Sequence, residues 1–128
     1  MNEYAVYVLM LEENKFYVGQ TTKAGLDSRL ANHYENKGAE WTKKYKPIKK
    51  SKPLIYYLPT KNEAGQVELT KTLEYMHNYG INNVRGHQFA KIHLDPEDIK
   101  IITNNFIHDD DRCFNCGEVG HYSRDCSR

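Results

Sequence analysis

"YAVYVLMLEENKFYVGQ", residues 4–20, decides how this 128-residue chain begins to fold. Two runs of apolar, β-branched and aromatic residues flank the polar tetrapeptide EENK (12–15), the pattern of two strands joined by a tight turn. A three-residue loop of Glu12, Glu13 and Asn14, with Asn14 in the left-handed conformation it tolerates, sets Leu11 opposite Lys15. Side-chain parity then follows along both strands. Val6, Val8, Met10, Phe16 and Val18 share one face, and Ala5, Tyr7, Leu9, Tyr17 and Gly19 share the other. Both faces are largely apolar, so the hairpin is expected at the centre of a sheet covered on both sides. The face with two tyrosines and a glycine is the unusual one.

Outward from the hairpin the pattern turns helical. Asp27 is a candidate cap for a helix running to about Tyr34, with a start nearer Ala24 as the alternative. Leu26, Leu30 and Tyr34 form its apolar stripe. Arg29 and His33 lie four apart on the neighbouring stripe, adjacent in space. A loop follows that carries six lysines between 43 and 52, and "PLIYYL" (53–58) reads as a third strand. Thr60 and Glu63 form a capping box that opens a long helix to Tyr79, stopped by Gly80. Leu69, Leu73 and Met76 give that helix its apolar stripe, with Glu68 on the border. "HQFAKIHL" (87–94) is the candidate fourth, shorter strand. Asp95 as cap and Pro96 at the first helical position start a last helix to about Phe106. The fold class is α/β: a small domain over 1–106 with a short mixed or antiparallel sheet flanked by helices. An acidic linker, "IHDDDR" (107–112), and a Cys/His segment over 113–128 complete the chain.

Formal net charge is only +1, so contact with nucleic acid has to come from a local patch such as the lysine loop. No apolar run approaches a membrane span and the N-terminus lacks a signal pattern, so an intracellular protein without a membrane partner is expected. All three cysteines fall within "CFNCGEVGHYSRDC" (113–126) beside a histidine, and none is left over for a disulfide. Cys113, Cys116, His121 and Cys126 are spaced C-x2-C-x4-H-x4-C, three thiolates and an imidazole for a tetrahedral, structural Zn2+. Gly117 and Gly120 suit the tight turns around it. This segment resembles the CCHC zinc knuckles of retroviral nucleocapsid proteins. The resemblance implies that Phe114 and Tyr122 pack on unpaired bases, worth about 1–3 kcal/mol per base. Asp109, Asp110, Asp111 and Glu118 make this knuckle's surroundings less basic than is usual in that family. A protein-interaction role for the knuckle is the alternative.

"AVY" (5–7), "YVG" (17–19), Arg29 with Leu30 and His33, Glu68 and Asn83 occur in the order of the GIY-YIG nucleases. "GAEWTKKYKP" and "NEAGQVE" also resemble stretches of that superfamily, and the likeness spans about residues 4–90. The first tripeptide keeps its tyrosine and changes only small apolar neighbours. The gap between Tyr17 and Arg29 is longer than usual, an insertion around "KAG" (23–25). The resemblance implies a metal-dependent endonuclease acting on nucleic acid, with DNA favoured and RNA as the alternative. Glu68 would hold Mg2+ or Mn2+, and Arg29 would contact the scissile phosphate. Tyr7 would act as general base or orient the nucleophilic water, with Tyr17 in the same network. His33 would bind phosphate or position a tyrosine hydroxyl. Gly19 would keep the surface flat for the phosphate backbone, and Asn83 would fix the loop near Glu68. A tyrosine with pKa near 10 is a poor base unless a cation lowers it, which makes Arg29, Lys15 or the metal desirable beside it. Lys43, Lys44, Lys46, Lys49 and Lys50 are the candidate non-specific phosphate contacts. The competing function is a catalytically silent nucleic-acid-binding protein of the same fold.

Overall fold

The computed structural model describes residues 2–105. The hairpin forms in the expected register: β1 (Tyr4–Leu11) runs antiparallel to β2 (Lys15–Thr22), with Leu11 opposite Lys15 and Tyr7 opposite Gly19. Asn14 takes the left-handed conformation at the turn, and so does Glu13. The order continues α1 (Leu26–Tyr34), α2 (Glu40–Lys44), β3 (Leu54–Leu58), α3 (Lys61–Tyr79), β4 (Val84–Gly86) and α4 (Pro96–Asn104). The sheet is ordered β3-β1-β2-β4, with β3 antiparallel to β1 and β4 parallel to β2. It is the mixed sheet of an α/β fold.

Alternating parity builds two cores on the two faces. Val6, Val8 and Val18 pack with Ala64 and Met76 of α3, Val84 of β4 and Ile102 of α4. Ala5, Tyr7, Leu9, Leu11 and Tyr17 pack with Leu26 of α1 and Trp41 of α2. The long helix begins where the Thr60 hydroxyl accepts from the Glu63 N–H at 3.1 Å, and it ends at Gly80, whose φ of 105° only glycine adopts cheaply. At α4 the Asp98 carboxylate accepts from the Asp95 N–H, and Pro96 is the first helical residue.

Three expectations are corrected. The fourth strand is Val84–Gly86, not 87–94. Gly86 lets the backbone press between β2 and α3, since a Cβ there would stand 2.6 Å from both the Val18 carbonyl oxygen and Thr72 Oγ1. Residues 87–94 instead form a loop held by the buried Arg85 guanidinium, which donates to the carbonyls of Lys91 and Ile92 as well as Ile81 and Val84. Apart from a single bridge between Phe89 and Gly86, the Arg85 side chain rather than a sheet partner orders that segment. The first helix starts at Leu26 after Gly25, whose N–H is held by Thr22 Oγ1. Asp27 sits inside the first turn, favourable to the helix dipole but not its cap. The lysine-rich stretch opens with the short helix α2, pinned by Trp41, whose Nε1–H donates to the Phe16 carbonyl at 3.0 Å. The Arg85 guanidinium lies 4.4 Å from the centre of the Trp41 ring. Five residues are too few to show helical periodicity in sequence.

Among the described residues, no helix is long and apolar enough to cross a membrane. The domain boundary at 106–107, the zinc ligands and their aromatic neighbours Phe114 and Tyr122 lie outside the described residues.

Candidate active site

Tyr7 stands on the middle of β1, and its ring folds over its cross-strand partner, Gly19. A Cβ at position 19 would lie 2.3 Å from Tyr7 Cζ and 2.4 Å from its hydroxyl oxygen. The glycine therefore admits a tyrosine ring, correcting the expectation that it flattens a surface for phosphate. The Tyr7 hydroxyl lies 2.8 Å from His33 Nε2, and His33 Nδ1 lies 2.9 Å from Thr42 Oγ1. Thr42 donates its only hydroxyl proton to the Ala39 carbonyl at 2.9 Å. Oγ1 must then accept from His33 Nδ1–H, which leaves Nε2 to accept the Tyr7 proton. Gly38 makes room for this histidine, since a Cβ there would stand 2.1 Å from Nδ1. His33 is fully buried with both ring nitrogens engaged. It positions Tyr7, and it has no exposed face for phosphate.

Arg29, one turn before His33 on α1, donates from Nε to the Tyr7 hydroxyl at 3.3 Å and also bonds Tyr17. The Tyr17 ring centre lies 6.3 Å from that of Tyr7 and 5.1 Å from that of His33. Burial, reinforced by the Arg29 charge, lowers the His33 pKa to about 4, so the imidazole is neutral. Burial raises both Tyr7 and Tyr17, and Arg29 opposes that rise without reversing it. The expected lowering of a tyrosine by a neighbouring cation is therefore not achieved by Arg29 alone. Lys15 contributes nothing to it. Its Nζ donates to Asn83 Oδ1 at 2.7 Å and sits 5.2 Å from the Tyr45 ring centre, at the hairpin's turn. Asn83 Nδ2 in turn donates to the Tyr79 carbonyl at 2.6 Å. Asn83 thus closes the C-terminal end of α3, about 16 Å along the helix from Glu68 by the rise per residue, and does not fix the loop near that carboxylate.

Glu68 belongs to α3, on the opposite face of the sheet from α1. The two faces meet because β4 is short. It ends at Gly86, opposite Val18, so that among the described residues β2 has an open edge from Gly19 onward. Glu68 sits half-buried at that edge in a cleft with Tyr4, Gln20, Thr21, Thr22 and Lys61. The His87 backbone N–H donates to its carboxylate, and His87 holds a left-handed φ of 51° there. Burial wins over that hydrogen bond and raises the Glu68 pKa to about 7. The Glu68 charge in turn disfavours ionisation of both Tyr7 and Tyr17, so all three groups act through the same space. No cluster of three or more metal-ligating side chains occurs among the described residues. One half-desolvated carboxylate beside neutral oxygen donors suits a hard divalent cation that keeps most of its water, such as Mg2+.

The structure thus brings Tyr7, Tyr17, Arg29, His33 and Gly19 together, sets Glu68 in the adjoining cleft with its charge felt by both tyrosines, and leaves Asn83 apart. The basic loop is also apart. Pro47 bridges Leu11 and the Ile48 N–H donates to Met10, which places Lys46, Lys49 and Lys50 at the hairpin's turn. That end lies about 13 Å along the strand from Gly19. Lys43 faces Glu40 at 3.6 Å, and Lys44 lies over Tyr45. Thr42, Gly38 and His87 are site residues that sequence reasoning missed. The only trace of the first two was the stretch "GAEWTKKYKP", which carried a resemblance but no role.

A family model described as the GIY-YIG catalytic domain matches residues 3–79, and one for the zinc knuckle matches residues 111–128. The UPF0213 protein YsiG of Lactococcus lactis is 43% identical over 49 residues, covering 38% of this chain and 45% of that protein. A UPF0213 protein of Bacillus velezensis is 36% identical over 67 residues, 52% of this chain and 64% of its own length. One of Staphylococcus haemolyticus is 35% identical over 48 residues, 38% of this chain and 56% of its own. The chain spans roughly half, and at most 64%, of the length of these relatives. No solved structure matches it significantly.

Proposed function

The chain belongs to the GIY-YIG catalytic domain family, and on that premise we propose that it is a divalent-metal-dependent endonuclease that hydrolyses phosphodiester bonds in DNA. The observation that carries this reading is the Arg29–Tyr7 hydrogen bond beside the open edge of β2, with the charge of Glu68 felt at the Tyr7 hydroxyl from the adjoining cleft. Phosphodiester hydrolysis requires a deprotonated water and neutralisation of charge growing on phosphate. Glu68, with Gln20 and Thr22 in the same cleft, would hold Mg2+ or Mn2+. When bound, such an ion supplies Lewis-acid stabilisation of the phosphate and leaving oxygen.

The remaining work falls to this chain's own residues. Arg29, half-buried and always charged, turns its planar fork toward the scissile phosphate. Tyr7 is poised between two partners, with its proton on the His33 side and a lone pair on the Arg29 side. Once Arg29 engages phosphate, that lone pair is free to take a proton from the attacking water. The Tyr7 proton passes at the same time to His33 Nε2, and the Nδ1–H stays on Thr42. Water becomes hydroxide, His33 becomes imidazolium, and no free tyrosinate forms. A tyrosine with a raised pKa thereby serves a base reaction without ionising.

The matched knuckle adds grip. Cys113, Cys116, His121 and Cys126 would hold a structural Zn2+, and Phe114 and Tyr122 would stack on single-stranded or distorted nucleic acid. The lysine loop extends the contact along the phosphate backbone at low salt.

Incubation with duplex, single-stranded and branched DNA and with RNA, with and without Mg2+ or Mn2+, tests the proposal. Cation-dependent internal cleavage of DNA is expected, absent in Glu68→Gln. Tight binding without cleavage under every condition would make the chain a silent binder of the same fold. Cleavage of RNA alone would overturn the substrate assignment.

A further inference from the structure

The cleft around Glu68 continues along the first turns of α3. Its next stretch is walled by Gln20, Lys61, Asn62, Gln66, Leu69 and His87, and it shares Gln20 and Lys61 with the cleft that holds the carboxylate. The floor of this channel is Gly65.

A glycine inside a helix destabilises it more than any residue except proline, so its presence needs a reason. For the other tightly packed glycines the reason is visible. Gly19 admits Tyr7, Gly38 admits His33, and Gly86 lies against Val18. Gly65 has no such neighbour. A Cβ built there meets only Gln20 Oε1, at 3.9 Å, an ordinary contact. Nothing within the described residues requires the missing side chain. Around it, Gln20, Lys61, Asn62 and Gln66 make no side-chain hydrogen bond or ion pair among the described residues. A bare helix backbone ringed by unpartnered amides and one cation is a surface shaped for something that approaches closely and offers hydrogen bonds. Gly65 lies three residues before Glu68, on the same helix face and about 4.5 Å away along the axis.

We propose that this channel is a nucleotide subsite of the cleaved strand, an inference that rests on the nuclease reading of Glu68. The nucleoside next to the scissile phosphate lies against the backbone at Gly65. Asn62 and Gln66 meet its base edge and sugar oxygens, since an amide both donates and accepts. Lys61 meets the following phosphate.

The test is fluorescence-anisotropy binding of labelled DNA oligonucleotides to the full chain, carrying Glu68→Gln so that nothing is cut. Gly65→Ala and Gly65→Gln are compared with that parent, and the same substitutions are assayed for cleavage in the otherwise unaltered chain. Gly65→Ala should melt higher than the parent, because alanine is the better helix former, yet bind DNA more weakly. Gly65→Gln should lose about tenfold or more in affinity. Gln66→Ala, which leaves the backbone untouched, should lose a few-fold and decides the matter if Gly65→Gln folds poorly. The knuckle contributes equally to every protein in the set, so the ratios report the channel. Unchanged affinity in Gly65→Ala and Gln66→Ala would overturn the subsite while leaving the nuclease reading intact. A wild-type chain that cuts nothing would instead sink the nuclease reading, and the affinity ratios would still show whether DNA enters the channel.

Discussion

The two halves of the site meet at one edge of β2 but are built in opposite ways. On the α1 side, Tyr7, His33, Thr42 and the Ala39 carbonyl form a buried chain in which each polar atom already has its partner. On the α3 side, Glu68 stands half-desolvated in an open cleft, bonded by the His87 N–H, with its pKa raised to about 7. The first half is satisfied before substrate arrives. The second is an unmet demand for positive charge. The difference teaches where stability and activity pull together and where they oppose each other.

The sharpest way to break the comparison is Glu68→Gln. Cleavage should fall at least about a thousandfold, some 4 kcal/mol of barrier. The fold should gain. The folded pKa of Glu68 lies above its ordinary value, so the stability tied to its protonated form is lost as pH rises through about 7. At pH 8 the glutamine variant should therefore melt higher than wild type, by an amount equivalent to ~1 kcal/mol once solvent screening is allowed for. Mg2+ should raise the melting temperature of wild type and not of the variant. A variant that melts lower at pH 8 would show that the cleft does not strain the carboxylate.

Arg29→Ala comes next, with an expected loss of about a hundredfold or more in cleavage. Arg29→Lys should rescue it poorly, because a point charge cannot bond a tyrosine oxygen and a phosphate in one plane. Full rescue by lysine would reduce the residue to simple charge neutralisation.

The closed half is sharpened by Thr42. Thr42→Val keeps the shape and removes the acceptor for His33 Nδ1–H, freeing the imidazole to take the wrong tautomer. Activity should fall about 10- to 100-fold, as it does when an outer hydrogen-bond partner of a site residue is removed. Thr42→Ser should stay near wild type. Equal activity in both variants would remove Thr42 from the chain of bonds.

The closed half also carries a stability slope that leaves the chemistry aside. The His33 pKa is lowered to about 4, below its ordinary 6.5, so protonation favours the unfolded chain. Stability should decline as pH falls from about 6.5 toward 4 and level off below that, by at most about 3 kcal/mol. His33→Gln should lose that part of the slope. Thermal melts at intervals across this range measure it.

How much of this was legible beforehand differs by residue. Tyr7, Tyr17, Arg29, His33 and Glu68 carried a recognisable order, and strand parity placed the two tyrosines on one face. Thr42 lay in a stretch that carried a resemblance but no role, and His87 carried nothing. A threonine in a lysine-rich stretch and a histidine in an apparent strand look like surface residues until the chain returns them to His33 and Glu68. Asn83 shows the converse, since its place in the motif order suggested a neighbourhood of Glu68 that the length of α3 excludes.

By itself the sequence determined what depends on neighbours along the chain: the hairpin and its register, the alternation that divides two cores, the Thr60 and Gly80 ends of α3, and the zinc spacing of 113–126. These rest on periodicity, capping and turn chemistry, all short in range. Only the tertiary structure decided that β4 is three residues long and stops opposite Val18. That length is set by Gly86 pressed between Val18 and Thr72 and by Arg85 drawing the following loop onto its guanidinium. Because the strand ends there, the edge of β2 stays open, and the charge of a carboxylate from one face of the sheet is felt by two tyrosines on the other. That coupling joins residues far apart in the chain through packing, and no local pattern encodes it.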